Sequence, residues 1–340
     1  MKHARFFSVL VFIIAAFYGA VGFYFLPLAS YHGDLTRIGM LPEPLFGWTK
    51  PQPGIDPALL QQSSWQDAEV LVIGDSFSEP GIWQTVLIGH GLRVRTEHWD
   101  HIRDICEDFP NWLRAQGFKG KHVVIEAVER DVRSYFARAL SCKKMAIRHR
   151  LVENQPRKPP VTAFDHDTVD LSGKMSVGIK TGINMFWYNR LSARQDFSIW
   201  LREGVRVARV QQGCDLFSHR SCRDALFLGE DSDQDLGEDI ISNMEIIDAR
   251  LSGLTAIWVI VPNKSTAYLY PDKQFWDRLG QRLRSVNLLK TIRLAIIGKN
   301  VDVYPANETH LSTSGYLLMG EEIYRNILRW QDGSTNAGIR

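Results

Sequence analysis

The sequence predicts an α/β protein, with a three-layer α/β/α domain around a central parallel sheet and one N-terminal transmembrane helix before it. Short apolar runs rich in β-branched residues alternate with segments whose apolar residues recur at helical spacing. This β-α-β order implies right-handed crossovers between parallel strands. A nearly uninterrupted apolar run also occupies residues 6–28. As a helix, that run is long enough to cross a hydrocarbon core of about 30 Å.

The residues around this run predict its orientation. Lys2, His3 and Arg5 precede it, and no charged residue lies within it. The positive-inside tendency therefore places the long remainder of the chain outside the cytoplasm. A cleaved signal peptide would end at a small-residue site, but apolar residues continue to Phe25 and Leu26, which favours a retained anchor over cleavage. We expect a single-pass protein of the inner membrane with its domain in the periplasm.

Length and composition suggest how the rest of the chain is organised. With 340 residues the chain can form one large domain or two small ones. We predict an anchor over residues 1–29, a proline-containing linker over 30–66, and a domain over 67–332 with a large insertion at about 138–253. The net charge of +2 gives no support to a nucleic-acid partner.

The four cysteines fit an exported domain. An even count permits two disulfides there, although four cysteines allow three pairings. Cys214 and Cys222 are close in sequence and bracket a loop-like stretch, which favours their pairing and leaves Cys106 with Cys142. No Cys-x-x-Cys spacing occurs, so we expect no zinc site.

The alternating pattern predicts individual elements along the domain. Strands are predicted at residues 70–73, 92–96, 122–126, 256–261, 292–297 and 301–304. Helices are predicted at residues 81–88, 106–116, 273–287 and 313–330, with one or two more within 187–207.

The first strand is followed at once by Gly74-Asp75-Ser76. A strand, a tight turn and a helix would place Ser76 at a helix N-terminus at the carboxyl edge of the sheet. Its hydroxyl would be exposed there, and backbone N–H groups could stabilise an oxyanion. The alternative is that Asp75 or Ser76 only caps the helix.

A second polar loop follows the last predicted strand, at the sheet edge where reactive groups gather in open α/β folds. It contains His310, the residue type that most often activates a serine nucleophile. Glu308 in the same loop is a candidate acid that would orient the imidazole. The alternative is that His310 is an ordinary surface histidine.

Two blocks of the chain resemble the first and last motifs of the SGNH/GDSL hydrolase superfamily. They are Gly74-Asp75-Ser76-Phe77-Ser78 and Glu308-Thr309-His310-Leu311-Ser312 followed by Gly315. The membrane anchor and two further blocks resemble the alginate-type polysaccharide O-acetyltransferases of that superfamily. Those blocks are Val124-Ile125-Glu126 with Glu129-Arg130, and Val259-Ile260-Val261-Pro262-Asn263-Lys264 with Tyr268 and Tyr270. The resemblance covers about residues 67–137 and 254–330.

This resemblance implies a set of site residues, and we expect no cofactor or metal. The implied catalytic residues are Ser76, His310 and Glu308, and the oxyanion or supporting candidates are Asp75, Asn307, Glu129 and Arg130. Three features depart from the pattern. Glu126-Ala127-Val128-Glu129 stands where many members have Gly-x-Asn-Asp, and Asn307-Glu308 stands where the acid is usually aspartate. The serine also precedes the histidine, unlike in many alginate-type enzymes.

The resemblance implies an extracytoplasmic serine O-acyltransferase that acetylates hydroxyls of an exopolysaccharide or other cell-surface glycan. Its acetyl donor would be delivered by a membrane-embedded partner protein. Two alternatives stay open: an esterase that removes acyl groups from glycan or lipid, and a non-catalytic glycan-binding assembly protein.

Overall fold

The computed structural model describes residues 2–145, 157–164, 170–194, 198–200, 204–231 and 233–331. The chain forms two compact units. The first unit comprises Met1–Lys50, Ala163–Gly229 and Pro305–Thr309. The second unit comprises Pro51–Thr162, Glu230–Tyr304 and His310–Arg340.

The described residues form eight strands and fourteen α-helices. The strands are β1 (Val70–Gly74), β2 (Val94–His98), β3 (His122–Val128), β4 (Ser198–Trp200), β5 (Val205–Arg209), β6 (Asp224–Leu228), β7 (Thr255–Val261) and β8 (Ser285–Val286). The helices are α1 (Lys2–Phe25), α2 (Asp34–Gly39), α3 (Glu43–Phe46), α4 (Gln84–Gly89), α5 (Trp99–Ile102), α6 (Phe109–Ala115), α7 (Val132–Leu140), α8 (Met175–Leu191), α9 (Gly213–Leu216), α10 (Glu238–Arg250), α11 (Lys264–Tyr268), α12 (Phe275–Arg282), α13 (Leu288–Ile297) and α14 (Thr313–Gln331). Two short 3-10 helices cover Leu26–Ala29 and Pro57–Leu60.

The second unit is built on a five-stranded sheet in the order β2-β1-β3-β7-β8, flanked by helices. All neighbouring strands run parallel. The chain leaves β1 for β2 on one side and then crosses back to β3 on the other. This reversal opens a crevice at the carboxyl ends of β1 and β3, where ligands bind in doubly wound sheets.

Burial explains why the apolar runs form this sheet. Every residue of β1 is buried, as expected for a parallel strand covered on both faces. Large aromatic side chains fill the adjoining core, among them Trp99, Phe136 and Trp258. The Cys106–Cys142 disulfide also belongs to this unit. The sheet therefore provides a rigid base for the loops at its carboxyl edge.

The first unit contains the antiparallel sheet β4-β5-β6 and the Cys214–Cys222 disulfide. Its apolar core includes Leu35 and Phe46 from α2 and α3, which lie within the predicted linker. At its N-terminus, the segment His3–Ala29 is long and apolar enough to cross a membrane, and little of it is buried.

The structure confirms the predicted α/β class, the central parallel sheet, the N-terminal apolar helix and both disulfide pairings. The predicted strand at 292–297 is wrong, because these residues belong to helix α13. Ile292 and Ile296 are buried while Leu294 and Ile297 are exposed, which is a helical pattern. A short apolar run does not distinguish a strand from a buried helix.

Three other predicted elements also differ from the structure. The predicted helix at 273–287 ends as α12 at Arg282, and Ser285–Val286 form strand β8. Residues 301–304 form turns rather than a strand. Helices were predicted within 187–207, but α8 ends at Leu191, and β4 and β5 follow it. Val205 and Val207 are both buried, two residues apart on one face of β5. Burial of every second residue is typical of a strand.

Candidate active site

Asp75 shapes the turn that follows β1. Its Oδ1 accepts a hydrogen bond from the Phe77 N–H at 2.9 Å, and its carbonyl accepts from the Ser78 N–H at 2.9 Å. Its Oδ2 accepts from the Val128 N–H at 2.7 Å, which ties the turn to the end of β3. Asp75 is therefore a buried supporting residue, engaged by backbone donors on both sides of the crevice.

Glu126 holds the same turn from β3. Its Oε2 accepts hydrogen bonds from the Asp75 N–H at 3.0 Å and from the Ser78 hydroxyl at 2.7 Å. The Glu126 side chain is fully buried. Burial, and next the negative charge of Asp75, raise the pKa of Glu126 well above its ordinary value. Both causes favour the protonated form of Glu126.

Gly74 is required where the strand enters this turn. A Cβ at this position would lie 2.3 Å from Ser78 Oγ and 2.5 Å from Glu126 Oε2. Both atoms belong to the buried hydrogen-bonded group, so neither can move aside freely. Any side chain here would disrupt the support beneath Ser76.

Ser76 lies on this turn and not at a helix N-terminus, so that prediction is wrong. Helix α4 begins only at Gln84. Pro80 and Gly81 intervene, and Gly81 has a φ of +74°, which non-glycine residues rarely adopt. The exposure of Ser76 therefore comes from the tight turn itself and not from helix capping.

His310 is held just before helix α14. The Ser312 hydroxyl accepts a hydrogen bond from the Gly315 N–H at 3.1 Å, the contact expected of an N-cap residue. The Ser312 N–H donates to the Val303 carbonyl at 3.0 Å. A Cβ on Gly315 would lie 2.5 Å from that same carbonyl oxygen, so glycine allows this close packing.

The structure brings Ser76 and His310 together. Ser76 Oγ lies 2.9 Å from His310 Nε2, which is hydrogen-bond distance. The serine hydroxyl donates this bond when the imidazole carries its proton on Nδ1. The Phe77 ring packs beside the imidazole, with 4.8 Å between ring centroids. Both polar side chains are partly exposed although Asp75, Phe77 and Ser78 are buried, so solvent can reach them.

The Ser76 backbone N–H is a candidate oxyanion donor. Within the part of the chain that the structure describes, it donates to no protein acceptor. It lies on the residue that would attack a carbonyl, the position at which such donors act.

Glu308 lies in the first unit, where it forms a carboxyl pair with Asp34. Burial, and next the negative charge of Asp34, raise the pKa of Glu308 to about 9. A hydrogen bond between the two carboxyls also favours the protonated form of Glu308. Asp34 accepts hydrogen bonds from both the N–H and the hydroxyl of Thr309, the residue that precedes His310 in the chain. Glu308 is therefore mostly neutral at pH 7.

Asn307 is fully buried in the first unit. Its side-chain amide nitrogen donates to Glu43 at 2.6 Å, and its backbone carbonyl accepts from the Leu35 N–H at 2.9 Å. A Cβ on Gly33 would lie 2.4 Å from the Asn307 amide nitrogen. In this arrangement Asn307 connects three parts of the N-terminal segment, as a supporting residue.

Glu129 and Arg130 belong to a separate buried network in the second unit. Glu129 accepts hydrogen bonds from Lys273 Nζ at 2.5 Å and from the Thr266 hydroxyl at 2.6 Å. Arg130 lies 3.7 Å from Asp231, whose pKa burial raises to about 6 despite the guanidinium charge. These contacts join the segment after β3 to helix α11, to the segment before α12 and to the segment before α10.

Sequence reasoning missed Asp34, because its proline-containing surroundings indicated a linker. It noted Glu126 only as part of the motif blocks around residues 124–130, without its contact to the serine turn. Asp34 begins helix α2 beside the apolar residue Leu35, a weak local signal that this stretch packs.

The chain was compared with protein-family models, curated proteins and solved structures, and none of them matches it.

Proposed function

We propose that this chain is a membrane-anchored serine O-acyltransferase that acts outside the cytoplasm through an acyl-Ser76 intermediate. The observation that supports this most directly is the 2.9 Å contact between Ser76 Oγ and His310 Nε2. A serine becomes an effective nucleophile when a positioned base takes its proton. The location of this pair at the carboxyl edge of a doubly wound sheet fits a catalytic site.

In the first half-reaction, Ser76 Oγ attacks the carbonyl carbon of an acyl donor while His310 Nε2 takes the hydroxyl proton. The resulting oxyanion accepts a hydrogen bond from the Ser76 N–H. The intermediate then collapses, and the bond to the leaving group breaks. The imidazolium gives its proton to that leaving group, so acyl-Ser76 and neutral His310 remain.

In the second half-reaction, His310 takes the proton of an acceptor hydroxyl. The acceptor oxygen attacks the acyl-serine carbonyl, and the bond to Ser76 Oγ breaks. The imidazolium returns its proton to Ser76, and the acylated acceptor leaves. Water in place of the acceptor would give hydrolysis, so the same residues serve an esterase.

The further assignment to SGNH-type enzymes, and within them to the alginate-type O-acetyltransferases, comes from the motif resemblance. Under this proposal the acceptor is a hydroxyl of an exopolysaccharide or related surface glycan. The acetyl group reaches Ser76 from a membrane-embedded partner protein. The catalytic site requires no cofactor.

The proposed location is supported by two features. The segment His3–Ala29 has the length and apolarity of a membrane-spanning helix. Two disulfides favour an oxidising compartment. We propose a single pass through the inner membrane, with both compact units in the periplasm.

Labelling of the full chain in lipid nanodiscs by a fluorophosphonate tests the nucleophile. We expect rapid labelling of the native chain, and a decrease of about 10⁴-fold or more in Ser76→Ala and His310→Ala. Ser134→Ala is the matched control, since Ser134 is an exposed serine on α7. Equal labelling of all variants, or none of the native chain, would refute the serine mechanism.

Transfer and hydrolysis are separated by product analysis. The nanodisc preparation is incubated with p-nitrophenyl acetate and an oligosaccharide, and the sugar is examined by mass spectrometry. We expect acetylated oligosaccharide that depends on Ser76. Release of acetate without acetylated sugar would favour the esterase instead.

A further inference from the structure

Helix α8 packs against the end of the N-terminal helix, within the first unit. A Cβ on Gly178 would lie 2.3 Å from the Phe25 carbonyl oxygen, and one on Gly182 would lie 2.6 Å from the Phe25 ring. A Cβ on Gly22 would lie 3.0 Å from the Met175 Cβ. Glycines four residues apart allow two helices to approach closely. α8 is thus seated directly on the last turns of α1.

One side of α8 faces the body of the first unit. Tyr188 is buried and donates to Asp224 at 3.0 Å. Thr181, two turns earlier on the same side, forms a 2.5 Å hydrogen bond with the Tyr31 hydroxyl. These contacts set the rotation of the helix about its axis.

The other side of α8 is apolar and exposed. At 100° per residue, Ile183 and Phe186 point about 140–160° away from Tyr188. Ile183 is 53% exposed, Phe186 is 59% exposed and the neighbouring Trp187 is 51% exposed. Three large adjacent apolar side chains at an exposed helix surface are typical of an interaction site.

Continuity with α1 identifies the occupant of this surface. Phe23 and Tyr24, in the last turn of α1, are also exposed and apolar. The α8 surface therefore begins where the proposed membrane span ends, and aromatic side chains are enriched at that depth of a bilayer. Lys180 and Arg190 on α8 are exposed, and the helix has no acidic residue, which suits anionic lipid headgroups.

We propose that α8 is an interfacial helix, with Ile183, Phe186 and Trp187 inserted into the outer leaflet of the bilayer that α1 crosses. This inference depends on the membrane anchoring proposed above and not on the chemistry of Ser76. It makes the first unit a membrane-surface module held by two helices rather than by a single tether.

Site-directed spin labelling of the full chain in nanodiscs of phosphatidylethanolamine and phosphatidylglycerol tests this proposal. Single cysteines are introduced by Ile183→Cys or Phe186→Cys and labelled with a nitroxide. Power saturation then compares collisions with oxygen, which enriches in the bilayer, and with a water-soluble nickel chelate. Phe12→Cys in α1 is the membrane control, and Arg37→Cys on the exposed side of α2 is the aqueous control.

We expect labels at 183 and 186 to collide more with oxygen than with the nickel chelate, as the label at position 12 does. The label at position 37 should show the opposite preference. Nickel accessibility at 183 and 186 equal to that at 37, with position 12 in lipid, would overturn the interfacial helix and leave the anchor intact. Protection from both reagents would indicate a protein partner and would also overturn it. Nickel accessibility at position 12 would refute the anchor itself.

Discussion

Glu126 Oε2 accepts a hydrogen bond from the backbone N–H of Asp75 at 3.0 Å, directly beneath the turn that presents Ser76. The same oxygen accepts from the Ser78 hydroxyl, so one carboxyl group supports two positions of the turn. Burial and the nearby Asp75 carboxylate favour the protonated form of Glu126. We therefore expect Glu126 to support the turn of Ser76 as a neutral hydrogen-bond acceptor.

Glu126→Gln and Glu126→Ala should differ sharply in stability. Glutamine preserves an acceptor of the same reach and is neutral like the protonated acid, so we expect a change within about 1 kcal/mol. Alanine leaves two buried donors unsatisfied beside a cavity, with an expected loss of about 2–4 kcal/mol. Urea unfolding measures both values. Equal losses in the two variants would contradict the neutral-acceptor role.

Gly74→Ala should disrupt the turn. The added methyl group would meet Ser78 Oγ at 2.3 Å, and the expected cost of such overpacking is about 1–3 kcal/mol, together with loss of fluorophosphonate labelling. Gly89→Ala, at the end of α4, is the control, because nothing lies within 4 Å of its Cβ position. We expect that control to keep native stability and labelling. A fully labelled Gly74→Ala variant would show that the tight contact is not needed.

The two carboxyls of the Asp34–Glu308 pair should contribute unequally to activity. Asp34 accepts two hydrogen bonds from Thr309, next to His310, so Asp34→Asn disturbs the segment that contains the proposed base. We expect it to reduce kcat by about 10²–10⁴-fold. Glu308 is largely neutral at pH 7, so its replacement by glutamine removes little charge. We therefore expect Glu308→Gln to reduce kcat by less than about tenfold.

Turnover of p-nitrophenyl acetate at pH 7 measures this difference, and thermal unfolding confirms that both variants are folded. A larger loss of kcat in Glu308→Gln than in Asp34→Asn would assign the acid role to Glu308, as the motif resemblance implies.

Glu308 should also make stability depend on pH. Its pKa is about 9 in the folded chain and near 4.5 when unfolded, so the folded state holds a proton that unfolding releases between these values. The group therefore lowers stability progressively as pH rises from about 4.5 to 9, and has no effect at lower pH. Glu308→Gln removes this dependence.

Urea unfolding at pH 6 and pH 8 measures the effect. The native chain should lose up to about 1.4 kcal/mol per pH unit more than Glu308→Gln over this interval. Parallel pH profiles for the two chains would show that Glu308 is ionised in the folded state.

Several features were predictable because their signals are local. The β1 strand is an apolar run of β-branched residues, and its burial on both faces follows from that composition. Cys214 and Cys222 are eight residues apart, so their pairing needed little knowledge of the fold. Helix α13 was missed because its apolar residues fit both a strand and a helix, and only packing against neighbours decides between them.

The sequence by itself determined the α/β class, the apolar N-terminal helix and the identity of Ser76 and His310 as a candidate pair. It favoured the cysteine pairing that the structure shows but left the other pairings open. Composition, periodicity and residue type contain this information within short windows. Only the tertiary structure decided that Ser76 meets His310, 234 residues away, and that Glu126 lies beneath Asp75, 51 residues away. It also placed Asp34 beside Thr309 and Glu308. Such contacts arise because the order of the strands and the closure of the loops bring distant segments together. No local sequence pattern specifies which distant residues will meet.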